Sequence, residues 1–254
     1  MTTVNLKVKR YDPETKESRY QEFSIDVDEN GSITPEAVRS AVKEEDQHHP
    51  VTRLLCLENT VNGSAQPVDL IDDLASTARE LGLAVHLDGA RLFNAAVALD
   101  VPIAALLDGV DSASICLSKG LGAPIGAVLV GDAQTIGRAF RLRKMLGGGM
   151  RQVGHTAAAA LYGLDHHVDR LSTDHEHARL IAEGFRQIDG LGVTQATNMV
   201  WLTPPAEHSE ALAAHLLADG ILVCAWQPTM RIVTHLDVGR ADAERAAAVL
   251  STLE

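Results

Sequence analysis

The segment 112–126 constrains the fold more than any other part of this sequence, because a lysine follows a buried strand directly there. The apolar run 113–117 is typical of a strand, and it ends at Ser118 and Lys119. Three glycines and a proline then lie within 120–126, before strand character resumes at 127–130. Desolvation at such a strand end favours a neutral amine that can attack a carbonyl. The alternative is a lysine whose ammonium group reaches solvent from the strand end.

Short apolar runs alternate with helical patterns before this lysine, which predicts an α/β sheet. Because the runs do not alternate strictly between apolar and polar residues, we expect the sheet to be buried on both faces. Ligands in such sheets bind beyond the carboxyl ends of the strands. Asp88 and Lys119 both belong at that edge, separated by about one crossover unit. The predicted elements are strand 51–57, helix 68–81, strand 83–91, helix 92–99 and strand 112–117.

The two ends of the chain differ from this central part. Residues 1–27 alternate with period two around a turn at 12–16, which predicts a β-hairpin. Thr34 is a credible N-cap for a helix beginning at Pro35. After residue 155 the pattern is typical of a small α+β unit. Its predicted elements are helices over 155–164 and 165–188, strand 193–202, helix 207–218, strands 221–226 and 230–236, and helix 241–253.

Composition excludes several classes of protein. The net charge of −12 argues against nucleic acid and anionic membranes as partners, since both bind clustered lysine and arginine. The sequence has neither an apolar run of about 20 residues, the length needed to span a bilayer, nor the apolar core of a signal peptide. Cys56, Cys116 and Cys224 are widely spaced in apolar contexts. We therefore expect a cytoplasmic protein with reduced, buried cysteines.

Two further features have competing interpretations. The three glycines 147–149 beside Arg151 indicate either an anion or cofactor contact, or a flexible connection between helices. Histidines cluster at 166–167 and 175–177, but no spacing converges them on one point. We therefore expect surface histidines and not a metal site.

Four runs of the sequence carry a family resemblance. They are HLDGARLFN at 86–94, CLSKGLGAP at 116–124, KMLGGGMRQ at 144–152 and MRIVTHLDV at 230–238. Together they resemble the low-specificity L-threonine aldolases, which are pyridoxal phosphate (PLP) enzymes of the aspartate aminotransferase-like fold, fold type I. The resemblance covers about residues 28–254. It implies an α/β three-layer sheet, with an incomplete large PLP-binding domain over 28–157 and a small α+β domain over 158–254, after a hairpin extension at 1–27.

The resemblance implies roles for individual residues around the cofactor. Lys119 would hold PLP as a Schiff base, and Asp88 would bind the protonated pyridine nitrogen so that the ring withdraws electrons. Arg91 would lie near the phenolic oxygen of the ring and the substrate carboxylate. Ser118 and Arg151 would lie near the cofactor.

The resemblance also implies a reaction and an assembly. The substrate would be a small β-hydroxy-α-amino acid, bound by Arg231 through its carboxylate, a task suited to a planar bidentate donor. Retro-aldol cleavage of L-threonine or L-allo-threonine would give glycine and acetaldehyde, with a neutral imidazole as a suitable base. Members of the family are homo-tetramers, so a homo-oligomer is expected.

The sequence departs from the family in two places. Family members have a longer N-terminal portion that grips the cofactor phosphate, whereas residues 1–27 faintly resemble the start of a succinate dehydrogenase iron–sulfur subunit, without its cluster cysteines. Val61 stands where the family has a histidine near the substrate hydroxyl. We therefore expect an N-terminally truncated aldolase with impaired activity. Two alternatives remain open, namely a non-catalytic cofactor-binding or structural remnant, and another reaction of the same fold such as decarboxylation, racemisation or transamination.

Overall fold

A computed structural model describes residues 2–11, 18–27, 33–44, 46–48, 50–226 and 229–249. For residues 2–11, 18–27 and 226 it describes the backbone alone. The turn predicted at 12–16 and the end of the helix predicted at 241–253 lie outside the described residues.

The N-terminal hairpin and the first helix confirm the sequence predictions. Strands β1 (Thr2–Tyr11) and β2 (Ser18–Val27) pair antiparallel over their whole length. Helix α1 (Pro35–Ala41) begins where expected, because the Thr34 hydroxyl accepts a hydrogen bond from the Ala37 N–H at 3.2 Å.

The first of two four-stranded sheets is mixed. Strands β3 (Leu54–Glu58), β4 (Ala84–Gly89) and β5 (Ser112–Cys116) are parallel, and β6 (Ala127–Gly131) runs antiparallel to β5. The strand order is β3-β4-β5-β6. Helices α2 (Val68–Glu80) and α3 (Leu92–Leu99) make the crossovers, with a 3₁₀ turn at Ile103–Leu107. One core joins the sheet to these helices through buried residues that include Ile71, Leu74, Val85, Leu87, Leu92 and Leu106.

Only one face of this sheet is covered in the described part of the chain. Both crossovers step in the same direction across the sheet, and right-handed crossovers of that kind place their helices on the same face. On the other face Leu54, Cys56 and Glu58 are exposed, in alternation with the buried Leu57. The expected burial of both faces is therefore not observed here.

Helices α4 (Ala133–Met145) and α5 (Gly154–His166) follow β6. Asp132 caps α4 by accepting hydrogen bonds from the backbone N–H groups of Gln134 and Thr135 at 2.7 and 2.9 Å. No residue of α4 is buried. By contrast, α5 packs on the segment after β5, where Ala160 shares a small core with Leu117, Leu121, Ala123 and Leu171.

The C-terminal α+β unit has its own sheet and core. Its elements are α6 (Leu171–Phe185), β7 (Gly192–Ala196), β8 (Met199–Thr203), α7 (Ser209–Ala218), β9 (Cys224–Trp226), β10 (Thr229–Val233) and α8 (Arg240–Ala248). The sheet is antiparallel in the order β7-β8-β10-β9, and the separate core includes Ile181, Phe185, Leu202, Leu216 and Met230.

None of the described helices of the chain is long and apolar enough to cross a membrane.

Two predicted boundaries in this unit were wrong. The single strand predicted at 193–202 is the hairpin β7-β8, which turns at Thr197 in the left-handed region (φ +44°) and at Asn198. The Asn198 side-chain amide donates to the Thr234 carbonyl at 2.8 Å, so the turn is fixed by a residue distant in sequence. The helix predicted at 165–188 begins only at Leu171, because α5 continues to His166.

Candidate active site

Two acidic residues lie side by side where β3 and β4 end. Glu58 is paired with Asp88 in the parallel register, and the Asn59 N–H donates to the Asp88 carbonyl at 2.9 Å. The Asp88 carboxylate accepts a hydrogen bond from the Ala90 N–H at 3.0 Å. Both side chains are exposed at the carboxyl edge of the sheet, where ligands bind in α/β folds.

Lys119 lies in a turn three residues beyond the end of β5. The turn is held by backbone hydrogen bonds from the Gly122 N–H to the Lys119 carbonyl and from the Ala123 N–H to the Leu117 carbonyl, at 2.9 and 3.0 Å. The side chain of Lys119 is exposed, which corrects the expectation of a desolvated amine. The physical reason is that the sheet face beside it carries no helix in the described part of the chain.

Glu58 is a site residue that sequence reasoning missed. Partial burial of its carboxyl and then repulsion from Asp88 raise the pKa of Glu58 above its ordinary value, while Arg91 and Lys119 act in the opposite sense. Asp88, Arg91 and Lys119 therefore each lie near enough to Glu58 for their charges to affect its carboxyl. The signal that predicts Asp88 is a carboxylate at the carboxyl end of a buried strand. Glu58 carries the same signal at the end of β3.

Two arginines from different parts of the chain lie near enough in this site for their charges to repel. Burial lowers the pKa of Arg91, and the positive charge of Arg231 on β10 lowers it further, against the opposing effect of Cys116 and Glu58. Both side chains are half-buried. Two cations held together are unfavourable until an anion lies between them, so the pair fits a carboxylate or phosphate.

The two remaining candidates make less contact with the site. The Ser118 hydroxyl is exposed and lies 3.5 Å from the Cys116 sulfur, on the same turn as Lys119. Arg151 is exposed in the connection between α4 and α5 and makes no ion pair with any residue that the structure describes.

The cysteines are free, but the predicted burial was wrong. Cys56 and Cys224 are exposed and Cys116 is half-buried. Cys56 alternates with Leu57 along β3 and therefore faces the uncovered side of the sheet.

The prediction of surface histidines was wrong for the two histidines of α6. His177 is buried and its Nδ1 lies 3.0 Å from the Val238 carbonyl oxygen. The His175 Nε2 lies 3.1 Å from the Asn94 side-chain nitrogen. Burial lowers the pKa of His175 to about 4, so the ring is neutral at physiological pH.

The loop 59–66 joins this edge of the sheet to the C-terminal unit. The Asn59 side chain accepts from the Gln66 N–H at 3.0 Å and donates to the Gln66 carbonyl at 3.2 Å, which closes the loop. Val61 is half-buried within it and pairs with Ser64 through two backbone hydrogen bonds. The Trp201 indole of β8 donates to the Asn62 carbonyl at 2.9 Å.

Comparison with known proteins places this chain in a family. The β-eliminating lyase family matches residues 14–205, so the match begins earlier than the expected residue 28. The low-specificity L-threonine aldolase of Escherichia coli O157:H7 is 43% identical over 224 residues, 88% of this chain and 67% of that protein. A probable low-specificity L-threonine aldolase 2 of Arabidopsis thaliana is 44% identical over 230 residues, 85% of this chain and 64% of that protein.

Solved structures agree on the fold. The threonine aldolase of Leishmania major superposes with a TM-score of 0.76 at 20% identity, covering 88% of this chain and 68% of that one. These likenesses show that the chain has the α/β fold of type I that is shared by PLP enzymes. The chain belongs to the low-specificity L-threonine aldolase family. It spans about two thirds of the length of the curated relatives that it matches.

Proposed function

We propose that this chain is a PLP-dependent aldehyde-lyase that cleaves L-threonine or L-allo-threonine to glycine and acetaldehyde. The observation that carries the proposal is that Asp88, Arg91 and Lys119 all lie near Glu58 at one edge of the sheet, and that Arg231 lies near enough to Arg91 for the two charges to repel. The curated relatives named as threonine aldolases support the same reaction.

The donor set at the sheet edge fits PLP. Lys119 offers an exposed primary amine for covalent attachment to the cofactor aldehyde, and Asp88 offers a carboxylate that can hold a proton on the pyridine nitrogen. When bound, PLP would supply the electron sink for carbon–carbon cleavage. We assign Ser118 and Arg151 as further residues near the cofactor, Ser118 because it shares the turn of Lys119.

The arginines orient the substrate. Arg91 and Arg231 together would hold the α-carboxylate, because a planar guanidinium binds both carboxylate oxygens at once. Glu58 offsets part of the positive charge of Arg91 and Lys119. Val61 presents an apolar side chain at the position of the family's histidine, so a proton acceptor for the substrate hydroxyl must come from another group.

The remaining proposals concern domains, assembly and location. We infer a hairpin extension over 1–27, a PLP-binding domain over 28–157 and a small domain over 158–254. We also infer a cytoplasmic location and a homo-oligomer. The homo-oligomer is supported by large apolar side chains that α4, its C-cap residue and α5 expose, because such side chains mark protein interfaces. These side chains are Phe140, Leu142, Met145, Leu146, Leu161 and Tyr162.

The proposal is tested by acetaldehyde release from L-threonine and L-allo-threonine by the purified full chain with added PLP. We expect turnover by the parent, and a loss of more than about 1,000-fold in kcat/KM for Lys119→Ala, because the covalent attachment is removed. Arg231→Lys is expected to raise KM about 10-fold, since one bidentate contact is lost. Cofactor binding without acetaldehyde release by the parent would contradict the proposal and favour the non-catalytic alternative.

A further inference from the structure

Trp201 lies directly against the proposed carboxylate-binding arginine. It stands opposite Arg231 in the antiparallel register of β8 and β10. The Arg231 guanidinium carbon is 5.7 Å from the centre of the Trp201 ring, within the distance of about 6 Å at which a cation is attracted to the face of an aromatic ring. The indole therefore provides a flat surface against which the guanidinium rests.

The same indole also binds the loop 59–66. The indole N–H donates a hydrogen bond to the Asn62 carbonyl at 2.9 Å. A second bond beside it runs from the Thr197 hydroxyl to the Gly63 carbonyl at 2.8 Å. The loop 59–66 and the turn between β7 and β8 approach so closely here that a Cβ on Gly63 would lie 2.8 Å from the Ala196 carbonyl oxygen. Gly63 also has a φ of +96°, so only glycine fits without strain.

The loop is in turn fixed to the strand ends that carry the acidic residues. It begins at Asn59, whose N–H donates to the Asp88 carbonyl and whose side chain closes the loop on Gln66. A continuous set of contacts therefore runs from Asp88 through the loop and Trp201 to Arg231.

We propose that Trp201 is a positioning residue that fixes the Arg231 guanidinium relative to the ends of β3 and β4, so that it is oriented for the substrate carboxylate before binding. An arginine side chain loses rotamer freedom when it is immobilised. Holding it in advance removes part of that cost from substrate binding. The identity of the carboxylate rests on the proposed function, whereas the link between Trp201 and the loop does not.

Two variants separate the two contacts of Trp201. Trp201→Phe keeps an aromatic ring beside Arg231 and removes the indole N–H, whereas Trp201→Leu removes both. We expect the glycine Kd of the PLP-loaded chain, measured by calorimetry, to rise about 4-fold in Trp201→Phe and about 20-fold in Trp201→Leu. With L-threonine, KM should rise by similar factors while kcat changes less than about twofold, because Trp201 contacts no reacting atom.

A ligand without a carboxylate gives the matched control. Binding of 2-aminoethanol, which lacks the carboxylate of glycine, should be unchanged by either substitution. Equal weakening of glycine and 2-aminoethanol would overturn the proposal, since it would show a general structural defect. Unchanged glycine binding in Trp201→Leu would overturn it as well.

Hydrogen exchange of the unloaded chain tests the link without any turnover. The amides of 59–66 should exchange about 5-fold faster in Trp201→Phe than in the parent, because one of the bonds that hold the loop is lost. Thr197→Val should also speed the exchange of these amides, because it removes the hydrogen bond to the Gly63 carbonyl. Thr197→Ser keeps the hydroxyl and should leave the exchange unchanged. Unaltered exchange in Trp201→Phe would contradict the link. A parent chain that binds neither PLP nor glycine would contradict the proposed function instead, and the exchange result would still decide the role of Trp201.

Discussion

At the scale of single residues, His175 shows how a half-buried group supports the turn that carries Lys119. The Asn94 amide nitrogen donates to its Nε2, which requires a lone pair there and therefore the neutral ring. Asn94 also lies under the turn, since a Cβ on Gly120 would be 3.2 Å from its side-chain oxygen. Protonation of His175 would break this contact directly behind the lysine.

The lowered pKa of His175 makes stability depend on pH. Its folded value of about 4 lies below the ordinary 6.5, so its contribution is complete above pH 6.5 and is lost as the pH falls toward 4. The pKa shift limits the contribution of His175 to the free energy of unfolding to about 3 kcal/mol, and solvent screening at the partly exposed ring reduces this contribution further. We expect denaturant unfolding to show that the parent loses more stability between pH 7 and pH 4.5 than His175→Gln, which keeps an acceptor for Asn94. Equal losses in the two proteins would contradict this assignment.

Sequence reasoning identified the residues at strand ends but not their surroundings. Asp88 and Lys119 were located correctly at the carboxyl edge because strand patterns are local. The exposure of Lys119 and the burial of His177 depend instead on which elements pack nearby, and a single sequence does not contain that information.

At the scale of elements, the contact between α5 and the turn after β5 determines where Lys119 lies. Gly163 lets the helix approach so closely that a Cβ there would be 2.6 Å from the Leu121 carbonyl oxygen. The same oxygen lies 2.7 Å from the Nδ1 of His167, at the end of α5. The turn is thus held by a helix that follows it by some thirty residues.

Gly163→Ala is expected to destabilise the chain by about 2 kcal/mol, because the added methyl meets backbone that has no room to move. The matched control is Gly137→Ala in α4, where nothing lies within 4 Å of the new Cβ. That variant should be as stable as the parent or up to about 1 kcal/mol more stable, through helix propensity alone. Denaturant unfolding of the two variants measures the difference, and similar effects would show that the α5 contact is unimportant.

The order and type of most elements were predictable because their apolar periodicity and caps are local. The prediction failed at β7 and β8, where continuous strand character hid a turn that Asn198 fixes through Thr234. A hydrogen bond between residues so distant in the chain leaves no periodic signal.

At the scale of the whole molecule, the direction of the two crossovers explains the uneven burial. Both crossover helices of the sheet β3–β6 lie on one face, which leaves the other face and the side chains of Glu58, Asp88 and Lys119 exposed in the described part of the chain. Helix α4 is exposed as well, with Leu146 beyond its end at 85% exposure. The fold class was predictable from the strand and helix pattern, whereas this uneven cover follows from topology.

The central claim is that Lys119 is the attachment point of PLP, and borohydride reduction of the PLP-treated full chain followed by peptide mapping tests it most directly. We predict one labelled peptide, carrying the reduced cofactor on Lys119, and loss of that label in Lys119→Arg while the fold is retained. Labelling of Lys144 or of several lysines in place of Lys119, or no label at all, would contradict the account.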